Sequence, residues 1–115
     1  MNKYFKRDEF KCSCGCKQDT VDYELLSVLT RLREFFNRSL IVTSGNRCVT
    51  YNESIGGAKG SYHLTSKAAD FIIVGIEPSV VQAKLEEWYP DKYGIGSSSD
   101  FTHLDVRFVK ARWSY

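Results

Sequence analysis

Residues 102–108 read Thr102-His103-Leu104-Asp105-Val106-Arg107-Phe108. The pattern has a period of two. Thr102, Leu104, Val106 and Phe108 point one way; His103, Asp105 and Arg107 point the other. This predicts a β-strand with one apolar and one polar face. Two readings of the polar face stay open on these residues alone. It is a solvated surface closed by an Asp–Arg pair, or it is one wall of a site built from an imidazole and carboxylates.

Further strands flank this one. Ala68 to Val74 reads as a strand whose Ala68, Asp70, Ile72 and Val74 share a face. Asp70 is then a charge near the start of an apolar strand, and a buried carboxylate must be paired or bound to a metal. Ser39 to Ser44 and Tyr93 to Ile95 give two shorter strands. Val21, Leu25, Val28, Leu29, Leu32, Phe35 and Phe36 recur at helical spacing and predict a helix over 20–36. Asp19 or Thr20 is placed to cap it, with Asp22 and Glu24 at the positive end of its dipole. Pro78 opens a second helix that buries Val80, Val81, Leu85 and Trp88 and ends before Pro90. Residues 46–61 are rich in turn formers, and a loop of that length usually carries function. Helices and strands mix without a βαβ rhythm. The expected class is α+β: a small single domain over 1–115, core about 10–113, with an antiparallel sheet packed by helices.

Composition limits the alternatives. A chain of 115 residues has material for one domain. Hydrophobic residues at 43% and aromatics at 14% exclude intrinsic disorder. No apolar run approaches the roughly 18 residues of a membrane span. A net charge of +2 and no nucleic-acid-reading motif argue against a nucleic-acid partner. The segment 1–11 has basic residues but no apolar core, so no secretory signal is read there. The expectation is a monomer, cytoplasmic as synthesised.

Cys12, Cys14 and Cys16 crowd together and Cys48 stands apart. Their C-x-C-x-C spacing is tighter than that of common zinc fingers. A structural metal shared with Cys48 and a tight turn of small thiols around Gly15 are both compatible; the second is the simpler reading. A cysteine-metal nucleic-acid binder, using these thiols and the basic N-terminal residues, is the least favoured rival.

The chemistry centres on the two histidines, His63 and His103. His63 precedes Asp70 by seven positions, and a chain reversal between them would set the pair side by side. Two histidines and an aspartate make a three-point zinc site with a fourth position left for water. Such a site needs a general base. Asp100, three residues before His103, is placed for that role or is a solvated turn residue. Arg47, at a strand exit, suits a substrate carboxylate or developing oxyanion, or else a structural ion pair.

Taken together, Ser44-Gly45-Asn46-Arg47, Asn52, Gly56-Gly57, Ser61-Tyr62-His63, Ala68-Ala69-Asp70 and His103-Leu104-Asp105-Val106-Arg107 resemble a known family. It is the zinc D-Ala-D-Ala carboxypeptidase and L-alanyl-D-glutamate endopeptidase family, whose fold is shared with the hedgehog signalling domain. The resemblance extends over nearly the whole chain. It implies one zinc on His63, Asp70 and His103, Asp100 as the acid/base, Arg47 and Ser61 on the substrate side, and Asp105 orienting a ligand histidine. It also implies hydrolysis of peptidoglycan stem peptides at the cell wall; the small size and the lack of a signal fit a phage or prophage endolysin acting after release, and equally a domain detached from a larger wall enzyme or virion protein. Two departures stand out: Ser66-Lys67 where relatives usually carry Gly, and Asn46 where they often carry an aromatic residue. The rival within the same fold is a silent zinc module that binds the wall or a protein without turnover.

Overall fold

The computed structural model describes residues 3–10, 21–45, 55 and 67–115. Its elements run in the order 3-10 turn (Arg7–Phe10), α1 (Tyr23–Phe36), β1 (Leu40–Ser44), β2 (Ala68–Ile73), α2 (Pro78–Trp88), β3 (Gly94–Ser97), β4 (Thr102–Asp105) and β5 (Ala111–Ser114). The expected α+β class holds. Among the described residues the strands form one sheet in the order β1-β2-β4-β3-β5. All neighbours are antiparallel except β3 and β5, which are parallel. The parallel pair makes the sheet mixed, and it exists because β5 returns after a connection outside the β3–β4 hairpin.

Strand alternation divides the sheet into two faces. Ala69, Phe71 and Ile73 of β2, Leu104 of β4 and Ile95 of β3 join one apolar core with Leu25, Leu29, Leu32, Val81 and Leu85 of the helices. The other face carries Asp70, His103 and Asp105. Both faces of β4 are buried: Thr102, His103, Leu104 and Asp105 are each at most 6% exposed. The period-two pattern therefore marks two buried environments, and the solvated-surface reading of its polar face is overturned.

Element boundaries moved for local reasons. Helix α1 starts at Tyr23 because Asp22 is its cap, accepting from the Glu24 N–H at 2.9 Å and the Leu25 N–H at 3.3 Å. Asp19 and Thr20 lie outside the described residues. The helix ends on Asn37 in the left-handed conformation. Two side chains expected inside are exposed. Phe35 packs edge-on against Trp88 at 5.4 Å, and Val80 lies on the solvent side of α2. Strand β4 stops at Asp105 rather than Phe108, whose side chain is 96% exposed. β3 begins one residue after Tyr93, which holds a positive φ of 69°.

β5 was not foreseen as a strand. Its alternation sends Arg112 toward the helices and Trp113 to the polar face. Arg112 fastens the strand: its Nε donates to Glu86 on α2, Nη1 to the carbonyls of Tyr93 (2.6 Å) and Ala111 (2.9 Å), and Nη2 to those of Tyr89 (2.9 Å) and Lys92 (3.1 Å). The Arg112 hydrogen bond holds the Glu86 carboxyl below its ordinary range against the opposing effect of burial, with the charges of Arg112 and Lys110 adding to the lowering.

A carboxyl lowered on folding stabilises the protein above its unfolded pKa and loses that contribution as pH falls. We expect Arg112→Ala to cost about 1–3 kcal/mol by removing the five hydrogen bonds that fasten β5 to α2 and the turn after it. Glu86→Gln should cost about 0.2–1 kcal/mol at pH 7. Urea melts should show the Glu86→Gln gap closing as pH falls through the ordinary carboxylate range, and a pH-independent gap would contradict the pairing.

Candidate active site

The register sets the site. Asp70 of β2 and Gly96 of β3 lie opposite His103 on its two sides, and Trp113 of β5 is the next residue in the row. Asp105 lies between Ala68 and Gly94 in the adjoining row. Same-face residues two apart on one strand, and partners across strands, come within side-chain reach. Thr43 Oγ1 donates to the Asp70 carbonyl at 3.1 Å and ties β1 to the row.

Asp105 is fully buried, and both its oxygens are doubly engaged. Oδ1 accepts from Arg107 Nε at 2.7 Å and from the Arg107 backbone N–H at 3.2 Å. Oδ2 accepts from Arg107 Nη2 at 2.7 Å and faces His103 Nε2 at 2.8 Å. Burial works to raise the Asp105 carboxyl, but hydrogen bonds from His103 and Arg107 outweigh it and hold the group far below its usual range. An ionised carboxylate only accepts, so Nε2 of His103 is the donor.

The other ring nitrogen faces a second carboxylate: His103 Nδ1 lies 2.8 Å from Asp70 Oδ1. Burial pushes the imidazole pKa down, but the hydrogen bonds to Asp105 and Asp70 raise it overall. With Nε2 committed as donor, Nδ1 and Asp70 can share that distance only through something positive between them. At 2.8 Å the pair stands at hydrogen-bond distance. Neutral imidazole nitrogen and carboxylate oxygen are also zinc ligands, so Asp70 and His103 are the described side chains that would hold such an ion if one bound here. Asp105 holds the far side of the ring, as a carboxylate behind a ligand histidine does. On this test of donor chemistry, Asp70 and His103 fit a zinc.

The sequence expectations are met unevenly. Asp70, His103 and Asp105 come together. Asp100 does not join their hydrogen-bond network among the described residues. It stands exposed in the β3–β4 loop, its N–H on Ser98 Oγ at 3.1 Å, and borders a small cleft with Phe71 and Thr102 at the far end of β2. His63, Arg47, Ser61, Cys12, Cys14, Cys16 and Cys48 lie outside the described residues. Among the described residues no group of three or more His, Cys, Asp or Glu side chains is set to hold a metal ion.

Two parts of the site have no role assigned to them by the sequence. Trp113 forms a side wall, its ring centroid 5.0 Å from that of His103 and 5.1 Å from the Arg107 guanidinium carbon. Gly94 and Gly96 make room for the buried groups. A Cβ on Gly96 would stand 2.6 Å from the Trp113 indole nitrogen, and one on Gly94 would strike the Asp105 carboxylate. The Gly94-Ile95-Gly96 spacing, two glycines on one face of a strand, was the available signal.

These features define a small α+β protein with a buried histidine–carboxylate centre on the polar face of its sheet. The sequence model of the Peptidase M15 family matches residues 3–105, and the chain belongs to that family. It is therefore a metallopeptidase of a generally zinc-dependent family that includes D-Ala-D-Ala carboxypeptidases. No curated protein matches the chain. The family match ends at Asp105, so Arg107 and β5 lie beyond it.

Gly96→Ala should therefore displace Trp113 and cost about 1–3 kcal/mol by overpacking. Near-UV circular dichroism and thermal melting together check this. An unchanged tryptophan signal and an unchanged Tm would show that the indole does not need the space.

Proposed function

We propose that this chain hydrolyses amide bonds in peptidoglycan stem peptides, with one zinc held by His63, Asp70 and His103. The observation that carries the reading is the Asp70–His103–Asp105 cluster, a histidine held between two carboxylates on a chain of the M15 family. Zinc, when bound, supplies a Lewis acid for the scissile carbonyl and lowers the pKa of a water to about 7.

The remaining work falls to side chains of this chain. Asp105 and Arg107 fix the tautomer and tilt of His103, so that Nδ1 presents its lone pair toward Asp70. Asp100, exposed three residues before His103, takes the proton of the attacking water and returns it to the leaving amine. Amines leave poorly unless protonated, so this shuttle governs the second half of the reaction. Arg47 and Ser61 bind the substrate, Arg47 through its planar fork to a carboxylate or the developing oxyanion. The place of action under this reading is the cell wall, as for a phage or prophage endolysin. Cys12, Cys14, Cys16 and Cys48 take no part in the chemistry.

We expect His103→Ala to lose bound zinc, read by metal analysis. Asp100→Asn should retain zinc and thermal stability yet lose about 10²- to 10⁴-fold in muropeptide turnover. Mass spectrometry of the digested muropeptides identifies the bond cut and separates carboxypeptidase from endopeptidase. Wild-type turnover in Asp100→Asn would remove Asp100 from the mechanism. No turnover by the zinc-loaded wild type would favour the silent wall-binding module.

A further inference from the structure

Four side chains close a ring on the polar face of the sheet. Arg107 donates Nε and Nη2 to Asp105, and Asp105 accepts from His103 Nε2. Trp113 closes the ring from β5, its centroid 5.0 Å from that of the His103 imidazole and 5.1 Å from the Arg107 guanidinium carbon. Imidazole and indole meet at 52°, a tilted contact at a separation favourable to aromatic pairs. A guanidinium at that distance is attracted by the indole face. One indole therefore packs on both partners of the buried carboxylate.

The indole is itself fixed from three sides. Register sets Trp113 opposite Gly96 and Gly96 opposite His103, so the indole reaches the imidazole across a strand position that has no Cβ. A Cβ there would stand 2.6 Å from the indole nitrogen. Arg112, on the other face of β5, binds the strand to Glu86 and to the carbonyls of Tyr89, Lys92 and Tyr93. The Tyr115 N–H donates to the Ser97 carbonyl at 2.8 Å, and the Tyr115 ring stands edge-on to the indole at 6.4 Å. Support of this kind keeps a site group in one orientation. The stretch matched by the family model ends at Asp105, so the match assigns Trp113 no role.

We propose that Trp113 is a positioning residue: it clamps the His103 imidazole and the Arg107 guanidinium about Asp105, and so holds Nδ1 toward Asp70 in the orientation a metal ion needs. The catalytic consequence rests on the peptidase reading above; the clamp itself belongs to the metal-free chain. Without the indole, His103 and Arg107 both keep their bonds to the carboxylate, but the imidazole gains freedom to tilt about its Nε2 hydrogen bond. That freedom is lost again when a metal binds, which weakens the metal. The role requires no contact with substrate, so KM stays while metal affinity and kcat fall.

Two variants of the full chain test this. Trp113→Leu keeps apolar bulk and removes the ring; Trp113→Phe restores a ring. In the metal-free wild type, the His103 Nε2 proton held by Asp105 should give a slowly exchanging low-field NMR resonance. Trp113→Leu should speed its exchange about tenfold or more, and Trp113→Phe should recover most of the protection. Chelator competition should show zinc bound roughly tenfold more weakly by Trp113→Leu, and within about threefold of wild type by Trp113→Phe. At saturating zinc, Trp113→Leu should lose about three- to tenfold in kcat on muropeptides, with KM changed less than about twofold. Val81→Ala, in the helix-side core, is the control for lost stability and should keep wild-type zinc affinity. If Trp113→Leu does not fold, Gly96→Ala takes its place, since it displaces the indole without deleting it. Unchanged proton exchange and zinc affinity in Trp113→Leu, no recovery in Trp113→Phe, or equal loss of zinc in Val81→Ala overturns the clamp. A raised KM with kcat and zinc affinity unchanged overturns it in favour of a substrate contact. If the wild type neither binds zinc nor cleaves muropeptides, the peptidase reading fails, and exchange of the His103 proton alone decides the clamp.

Discussion

A single fully buried carboxylate organises this molecule. Asp105 has no exposed surface, and an unpaired charge there would cost several kcal/mol. Its two oxygens are met by one arginine, two residues along the chain, and by one imidazole on the same strand face. The arrangement leaves Asp105 ionised and His103 Nε2 as a donor. Everything the other ring nitrogen can do follows from that, because Nδ1 then faces Asp70 needing a positive partner. Remove Arg107 and the carboxylate is left half-paired; remove His103 and the two carboxylates lose the group between them.

The rest of the sheet accommodates this centre. Antiparallel pairing of β2 with β4 puts Asp70 directly across from His103, a relation that a slip of one residue would destroy by turning every side chain over. On the far side β3 contributes absence of bulk, with Gly94 beneath Asp105 and Gly96 beneath Trp113. β5 then brings the indole over the imidazole, while Arg112 on its opposite face binds the strand to the carbonyls around the end of α2. One short strand thereby ties the helix layer to the wall of the site. The match to the M15 family spans the strands that carry the centre, whereas β5 lies outside the matched stretch.

Much of the architecture was readable because its signals are local. The helical stripe of Leu25, Val28, Leu29 and Leu32 and the alternation of Thr102 to Asp105 each need only neighbours a few residues apart. The capping signal is weaker: the spacing places Asp22 at the positive end of the dipole, whereas in the structure its side chain is the cap itself. The failures share a cause. Phe35, Val80 and Phe108 are apolar and sit on the right period, but period says which residues share a face, not whether anything packs on that face. β5 was missed because four residues of mixed character carry no periodicity until a partner strand is present.

The sequence by itself determined the α+β class, the strand that carries His103 and Asp105, and the pairing of residue types suited to a metal. Those features follow from spacing along the chain, which fixes direction and periodicity. The tertiary structure alone decided that the polar face of β4 is buried, that Asp70 meets His103 at 2.8 Å, and that Arg107 serves Asp105 and borders a cleft. It alone brought Trp113 against His103, and it left Asp100 outside the hydrogen-bonded cluster. These are relations between segments tens of residues apart, and strand order and register settle them. Neither is written in the period of any one strand, because each strand presents the same alternation to every neighbour it could have.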